Sequence, residues 1–281
     1  MLTLNHLATL MALLLGERPE TLQLIARNLR EARLVASGGR GRGGARQEPR
    51  HVANMIIAAC AADQVADAAS AAATFANLEL APPAAPQRRF RRAPAKTIVS
   101  PRKLSPMSEP EPVVPRELVF ATKAGAKFGD VVAGLVELAA DGRLYSLLMS
   151  HVAEFVDRDL LRAGADAIKH APRGGRPAAT AELAAKMATH VQALIDQSAV
   201  YLRISFLRPL PAGQIEFGTQ HEGDTKALLR AEFGLPAAFV ANPRNAPRLN
   251  AWHRMDRGHR VTVSHRTLLS IGQAIAAEEE L

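Results

Sequence analysis

One cysteine in 281 residues leaves no disulfide framework and no cysteine-ligated zinc site, a pattern that fits a reducing cytoplasm. Cys60 lies in the apolar run from Met55 to Ala62, the setting of an inert buried thiol rather than a nucleophile or ligand. Aromatics are equally scarce: Trp252, Tyr145, Tyr201 and nine phenylalanines are the whole stock. Alanine and leucine must therefore fill much of the interior, and helices are the default expectation. No apolar stretch approaches the roughly 20 residues a membrane-crossing helix needs. The apolar run Leu7 to Leu15 has no Lys or Arg ahead of it and no clean cleavage site behind it, so it is expected as a core helix rather than a signal peptide. The phosphate-loop pattern Gly-x-x-x-x-Gly-Lys-Ser/Thr is missing, and no serine stands in a nucleophile-elbow context, which argues against ATP hydrolysis and serine-based acyl transfer. The expectation is a soluble, cytoplasmic protein that needs no cofactor and contacts no membrane.

What the chain does have is positive charge, unevenly spread. The formal net charge is +8. Residues 1–104 hold 15 Lys and Arg against 7 Asp and Glu, whereas residues 105–281 hold 20 of each. A compositional bias toward arginine would spread evenly, so a basic first part joined to a balanced second part points to a module that meets a polyanion.

The first part opens with Leu4, Leu7, Leu10, Met11 and Leu14 at helical spacing, stopped at Gly16 to Pro19, which predicts a helix over residues 4–15. A second helix is predicted over residues 20–33. Leu22, Ile25, Ala26 and Leu29 share its inner face, while Gln23, Arg27 and Arg30 share the opposite one. Leu34 and Val35 are expected to start a short strand. It leads into Gly38-Gly-Arg-Gly-Arg-Gly-Gly-Ala-Arg46, a basic tongue able to lie close against a backbone or a phosphate. Glu48-Pro49 then opens a third helix through Met55, Ile56, Ile57 and Ala61, followed by an Ala-rich helix over residues 63–80.

The order Leu-Gln-Leu-Ile-Ala-Arg-Asn-Leu-Arg-Glu-Ala-Arg-Leu-Val, residues 22–35, followed by Ser-Gly-Gly-Arg-Gly-Arg-Gly-Gly, resembles the recognition helix and wing of bacterial and phage winged helix-turn-helix proteins. The resemblance covers roughly residues 4–62. It departs from the family pattern in lacking one helix ahead of the recognition helix and in leaving little room for a return strand before Pro49. It implies a duplex-DNA interface made of Gln23, Arg27, Arg30 and Arg33 from the helix, Arg40, Arg42 and Arg46 from the wing, and Arg50 beside it. Glutamine pairs bidentately with adenine and arginine with guanine in the major groove, while wing arginines add salt-sensitive phosphate or minor-groove contacts.

Residues 81–115 carry nine prolines together with Arg88, Arg89, Arg91 and Arg92, a stiff basic linker able to track phosphates or to serve only as a solvated spacer. Beyond it, helices are expected over residues 128–138, 144–161 and 180–195. Alternation from Ala199 to Phe206 predicts a half-buried strand, paired with residues 214–217 across a turn at residues 209–213, and a last strand at residues 259–264 leads into a helix over residues 266–277. Two side-chain triplets have metal-ligand types. His253, Asp256 and His259 stand among Arg254, Arg257 and Arg260 next to Gly258, which favours a polar loop over a cation site. His151, Glu154 and Asp157 read as a solvated helical face.

These observations add up to a mainly α, winged-helix-like N-terminal domain at residues 1–80, the linker at 81–115, and an α+β C-terminal domain with a small antiparallel sheet at 116–281. The expected function is double-stranded DNA binding as a bacterial or phage transcriptional regulator without catalysis. Partners are DNA, a second copy of the chain and a protein met through the C-terminal domain. The rival readings are a DNA-packaging recognition subunit of the small-terminase kind or another assembly protein, and, third, a metal-dependent nuclease.

Overall fold

The computed structural model describes residues 2–37, 44–81, 114–152, 155, 158–172, 175–197, 199–221, 224–253 and 259–277. Helix α1 (Leu4–Leu15) starts where the Thr3 hydroxyl accepts the His6 N–H at 3.4 Å and stops at Gly16, whose φ of 69° turns the chain out of the helix. Pro19 sits in the first turn of α2 (Pro19–Glu31) and Pro49 in that of α3 (Pro49–Ala61), where a missing N–H costs nothing. At the start of α3, the Glu48 N–H donates to His51 Nδ1 at 3.1 Å. Helix α4 (Ala68–Ala76) and the two-residue strand β1 (Glu79–Leu80) complete the first part.

The second part contributes α5 (Phe128–Ala140), α6 (Arg143–Val152), α7 (Arg158–His170) and α8 (Arg176–Asp196). A meander of β2 (Val200–Arg208), β3 (Ala212–His221) and β4 (Asp224–Gly234) follows. Short helices α9 (Ala237–Ala241) and α10 (Ala246–His253), strand β5 (His259–Ser264) and helix α11 (His265–Ala277) end it. The sheet is antiparallel throughout, in the order β1-β4-β3-β2-β5. Ile204 of β2 lies opposite Ile215 on one side and Val263 on the other, so one face of the sheet is apolar, and α3, α6 and α11 pack on it. Phe128 of α5 anchors that face, edge-on to Phe206 at 5.5 Å and tilted against Phe233 at 5.3 Å. Gly213 lets the Phe128 ring come close to β3, because a Cβ there overlaps the ring.

Several expected elements differ. Leu34 and Val35 form bends rather than a strand, because the chain reverses right after α2 with Arg33 at φ 59°. The helix expected over residues 63–80 is a 3-10 turn (Val65–Asp67), the short α4 and β1, since Glu79 and Leu80 pair with Gly234 and Phe233 of β4. The helix expected over residues 144–161 is split into α6 and α7. Strand β4 was not apparent in the sequence. A register shift at Phe217 and Gly218 bends its partner, and its own Ala227-Leu228-Leu229 lacks alternation. The small antiparallel sheet expected in the C-terminal part is present. The regions expected as separate domains are joined by β1 on β4, by α3 on α5, and by one apolar cluster running from Leu2 to Ile275.

Candidate nucleic-acid interface

Helix α2 is amphipathic as its periodicity predicts. Leu22, Ile25, Ala26 and Leu29 are buried, and Gln23, Arg27 and Arg30 are exposed together on the outer side. Arg27 Nε donates to Glu31 Oε1 at 2.8 Å, and this bond with its attendant charge raises the Arg27 pKa above its ordinary value. Glu31 thus holds Arg27 in place and offsets part of its field. Past the helix end, the Leu34 N–H donates to Leu29 O at 2.9 Å and the Arg33 N–H to Arg30 O at 3.1 Å, closing the last turn. Arg33 takes the left-handed conformation that glycine usually fills at this position, at a cost of roughly 1 kcal/mol, and its side chain is exposed beside Arg30 in sequence.

The tongue leaves and re-enters the fold at one point. Gln47 is only 2% exposed, and its side-chain amide works as a clip. Oε1 accepts the Ala36 N–H at 3.2 Å, and Nε2 donates to Ala36 O at 3.2 Å and Ala45 O at 2.9 Å. The Gln47 N–H donates to Leu2 O at 3.1 Å, and Asn54 Nδ2 donates to Leu34 O at 2.7 Å. Both stems of the loop are therefore fixed by buried amides rather than by a β-ladder. Among the described residues no strand flanks the loop, so the winged hairpin that the resemblance implies is not found there. Gln47 and Asn54 were not singled out from the sequence. The available signal was a lone amide inside an apolar helix, Asn54 between Ala53 and Met55.

Of the remaining interface candidates, Arg46 is exposed at the loop stem, while Arg40 and Arg42 lie outside the described residues, as do Arg88, Arg89, Arg91 and Arg92. Arg50 has a carboxylate partner. In the first turn of α3, its guanidinium pairs with Asp130 in the first turn of α5, so it ties the two parts of the chain together.

The metal candidates are not assembled by what is visible. Glu154, Asp157 and Asp256 lie outside the described residues. His151 Nδ1 sits 3.0 Å from Leu147 O, with its ring edge-on to Phe217 at 5.0 Å, and His259 is exposed opposite Arg208 in the β2–β5 ladder. Among the described residues no three His, Cys, Asp or Glu side chains come together in a way that holds a metal ion. Burial pushes the Cys60 thiol up to about 12, the reverse of what a nucleophile requires. No described helix is long and apolar enough to cross a membrane. Comparison with family models, with curated proteins and with solved structures finds nothing that matches this chain.

Proposed function

We propose that the chain binds double-stranded DNA without catalysis and acts as a transcriptional regulator of the bacterial or phage type. The observation that carries this reading is the exposed face of α2, where Gln23, Arg27 and Arg30 stand side by side on a helix firmly seated by its opposite face. Placed in a major groove, that face offers a bidentate amide and two guanidinium forks to base edges. Arg33 and Arg46 flank the Gly-Arg loop in the sequence, and that loop supplies backbone and charge for phosphates. The concentration of positive charge in residues 1–104 supports the same assignment.

The test is fluorescence anisotropy of the full chain with labelled duplexes of random and selected sequence at several salt concentrations. The logarithm of the binding constant is expected to fall linearly with the logarithm of salt concentration. Arg42→Ala weakens every duplex and reduces the salt slope by about one, whereas Arg27→Ala costs about tenfold on a selected site and little on random sequence. A triple replacement of Gln23, Arg27 and Arg30 by alanine that binds like the parent removes α2 as the reading surface. The regulator reading also expects a homodimer. A closed ring of many copies in sedimentation favours DNA packaging instead.

A further inference from the structure

Helices α7 and α8 form a hairpin whose far end is basic. The two lie against one another along a seam where Gly164 of α7 meets Leu183 of α8, and none of residues 176–190 is buried. Val191 is the first residue of α8 to reach the core, so the far end lies about 22 Å of helix away from it. The chain turns there with the Gly175 N–H donating to Pro172 O at 2.8 Å. That turn brings the exposed Lys169 and His170, in the last turn of α7, to the same end as the exposed Arg176, in the first turn of α8.

The charge at this end is unopposed. From residue 167 to residue 181 the chain holds Lys169, Arg173 and Arg176 and neither Asp nor Glu. Lower on the hairpin Lys186 is matched by Glu182 at 2.8 Å. Among the described residues neither Lys169 nor Arg176 has a carboxylate partner, and Lys169 makes no ion pair with Asp166 one turn below it. Helix stability explains only half of this. Lys169 and His170 complement the negative end of the α7 dipole, but Arg176 stands in the first turn of α8, where the dipole favours an acid and none is present. Screening over about 8 Å at physiological salt lets this charge act locally, although residues 105–281 balance as a whole.

We infer that this end of the hairpin is a second contact for duplex nucleic acid, one that grips the phosphate backbone without reading sequence. Exposed lysine and arginine without internal partners suit a row of phosphates, and each phosphate neutralised releases bound counterions. The neighbouring residues disfavour other polyanions. Residues 167–181 contain no Phe, Tyr or Trp, so they offer the unstacked bases of a single strand no platform. Apart from the half-buried Ile168 they also lack the bulky apolar anchors that hold a basic helix in a lipid interface. The inference rests on the proposed function for the class of partner, while its residues are separate from those of α2.

The experiment is fluorescence anisotropy of the full chain with labelled random and selected duplexes over several salt concentrations, comparing the parent with Lys169→Gln/Arg176→Gln. Lys123→Gln/Lys127→Gln, which removes the same charge from exposed positions elsewhere, is the control. At about 0.1 M salt the hairpin variant is expected to weaken random and selected duplexes alike, at least about tenfold, and to lower the salt slope by about two. The control lowers the slope by less than about one. Arg176→Asp suits the α8 dipole, so it is expected to keep the parental Tm or raise it while still weakening duplex binding, which separates contact from folding. The inference is overturned if the hairpin variants bind duplex like the parent, or if the control loses as much. Parental duplex binding combined with lost binding to phosphatidylserine vesicles reassigns the charge to a membrane and overturns it as well. Loss in the hairpin variants, with parental binding by the triple alanine variant of α2, sinks the α2 reading surface and leaves this contact standing. A parent that binds no duplex sinks both.

Discussion

Helices α3 and α8 are both rich in alanine and both carry a proline in the first turn, yet they occupy opposite environments. Every residue of α3 from Val52 to Ala58 is buried, and the helix is enclosed by α4, α5 and the sheet. In α8 none of residues 176–190 is buried, and only near its end do Val191 and Ile195 reach the core. The difference lies in what accompanies the alanine. Val52, Met55, Ile56 and Ile57 bring enough apolar surface to α3 for enclosure on all sides, whereas Ala178, Ala181, Ala184, Ala185 and Ala188 favour the helical backbone and gain little from burial. Helix α8 therefore packs along one seam against α7 and stands clear of the body for most of its length.

The contrast is sharpest for core truncation. Ile56→Ala, at a fully buried position, is expected to cost about 2 to 5 kcal/mol in urea unfolding, while Leu183→Ala at the half-buried α7–α8 seam costs a small fraction of that. Similar losses at both positions break the comparison.

A smaller effect comes from one substitution made at two close approaches. At Gly272 of α11 a Cβ overlaps the backbone of Ala139 in α5, so Gly272→Ala forces two helices apart and is expected to cost about 1 to 3 kcal/mol. At Gly164 of α7 the overlap is with the tip of the Leu183 side chain, which can swing away, and alanine gains up to about 1 kcal/mol of helix propensity. Gly164→Ala is expected near neutral by the same denaturation assay.

The smallest effect is titration within α3. Burial raises the Cys60 pKa from 9.0 to about 12 against a weaker opposing pull from Arg208, so the fold favours the neutral thiol. That contribution is complete below pH 9 and is lost as pH rises from 9 toward 12. Over this window the parent is expected to lose stability more steeply than Cys60→Ala in denaturant titrations at stepped pH. Parallel slopes take the thiol out of the account.

Much of the candidate site was legible because it is local. The inner and outer faces of α2 follow from a 3.6-residue period, and Gly16, Pro19 and Pro49 mark ends and starts within a residue or two. The clip at the loop stem was not legible, since nothing in the neighbourhood of Gln47 reveals that its amide serves Ala36, eleven residues away. The pairing of Arg50 was hidden for the same reason. Beside the Gly-Arg loop it reads as one more interface cation, and its partner Asp130 is 80 residues distant.

The sequence by itself determined the first three helices, the strands β2 and β5, the helix-rich character with a small sheet, and the face that α2 turns outward. Capping, turn chemistry and side-chain periodicity act over a few residues and need no partner. Only the tertiary structure decided that α3 is enclosed on every side, that β1 pairs with β4, and that Arg208 anchors to Asp63 across 145 residues. Each of these joins segments remote in the chain, and their pairing is set by how the apolar faces close into one core, which no local pattern encodes.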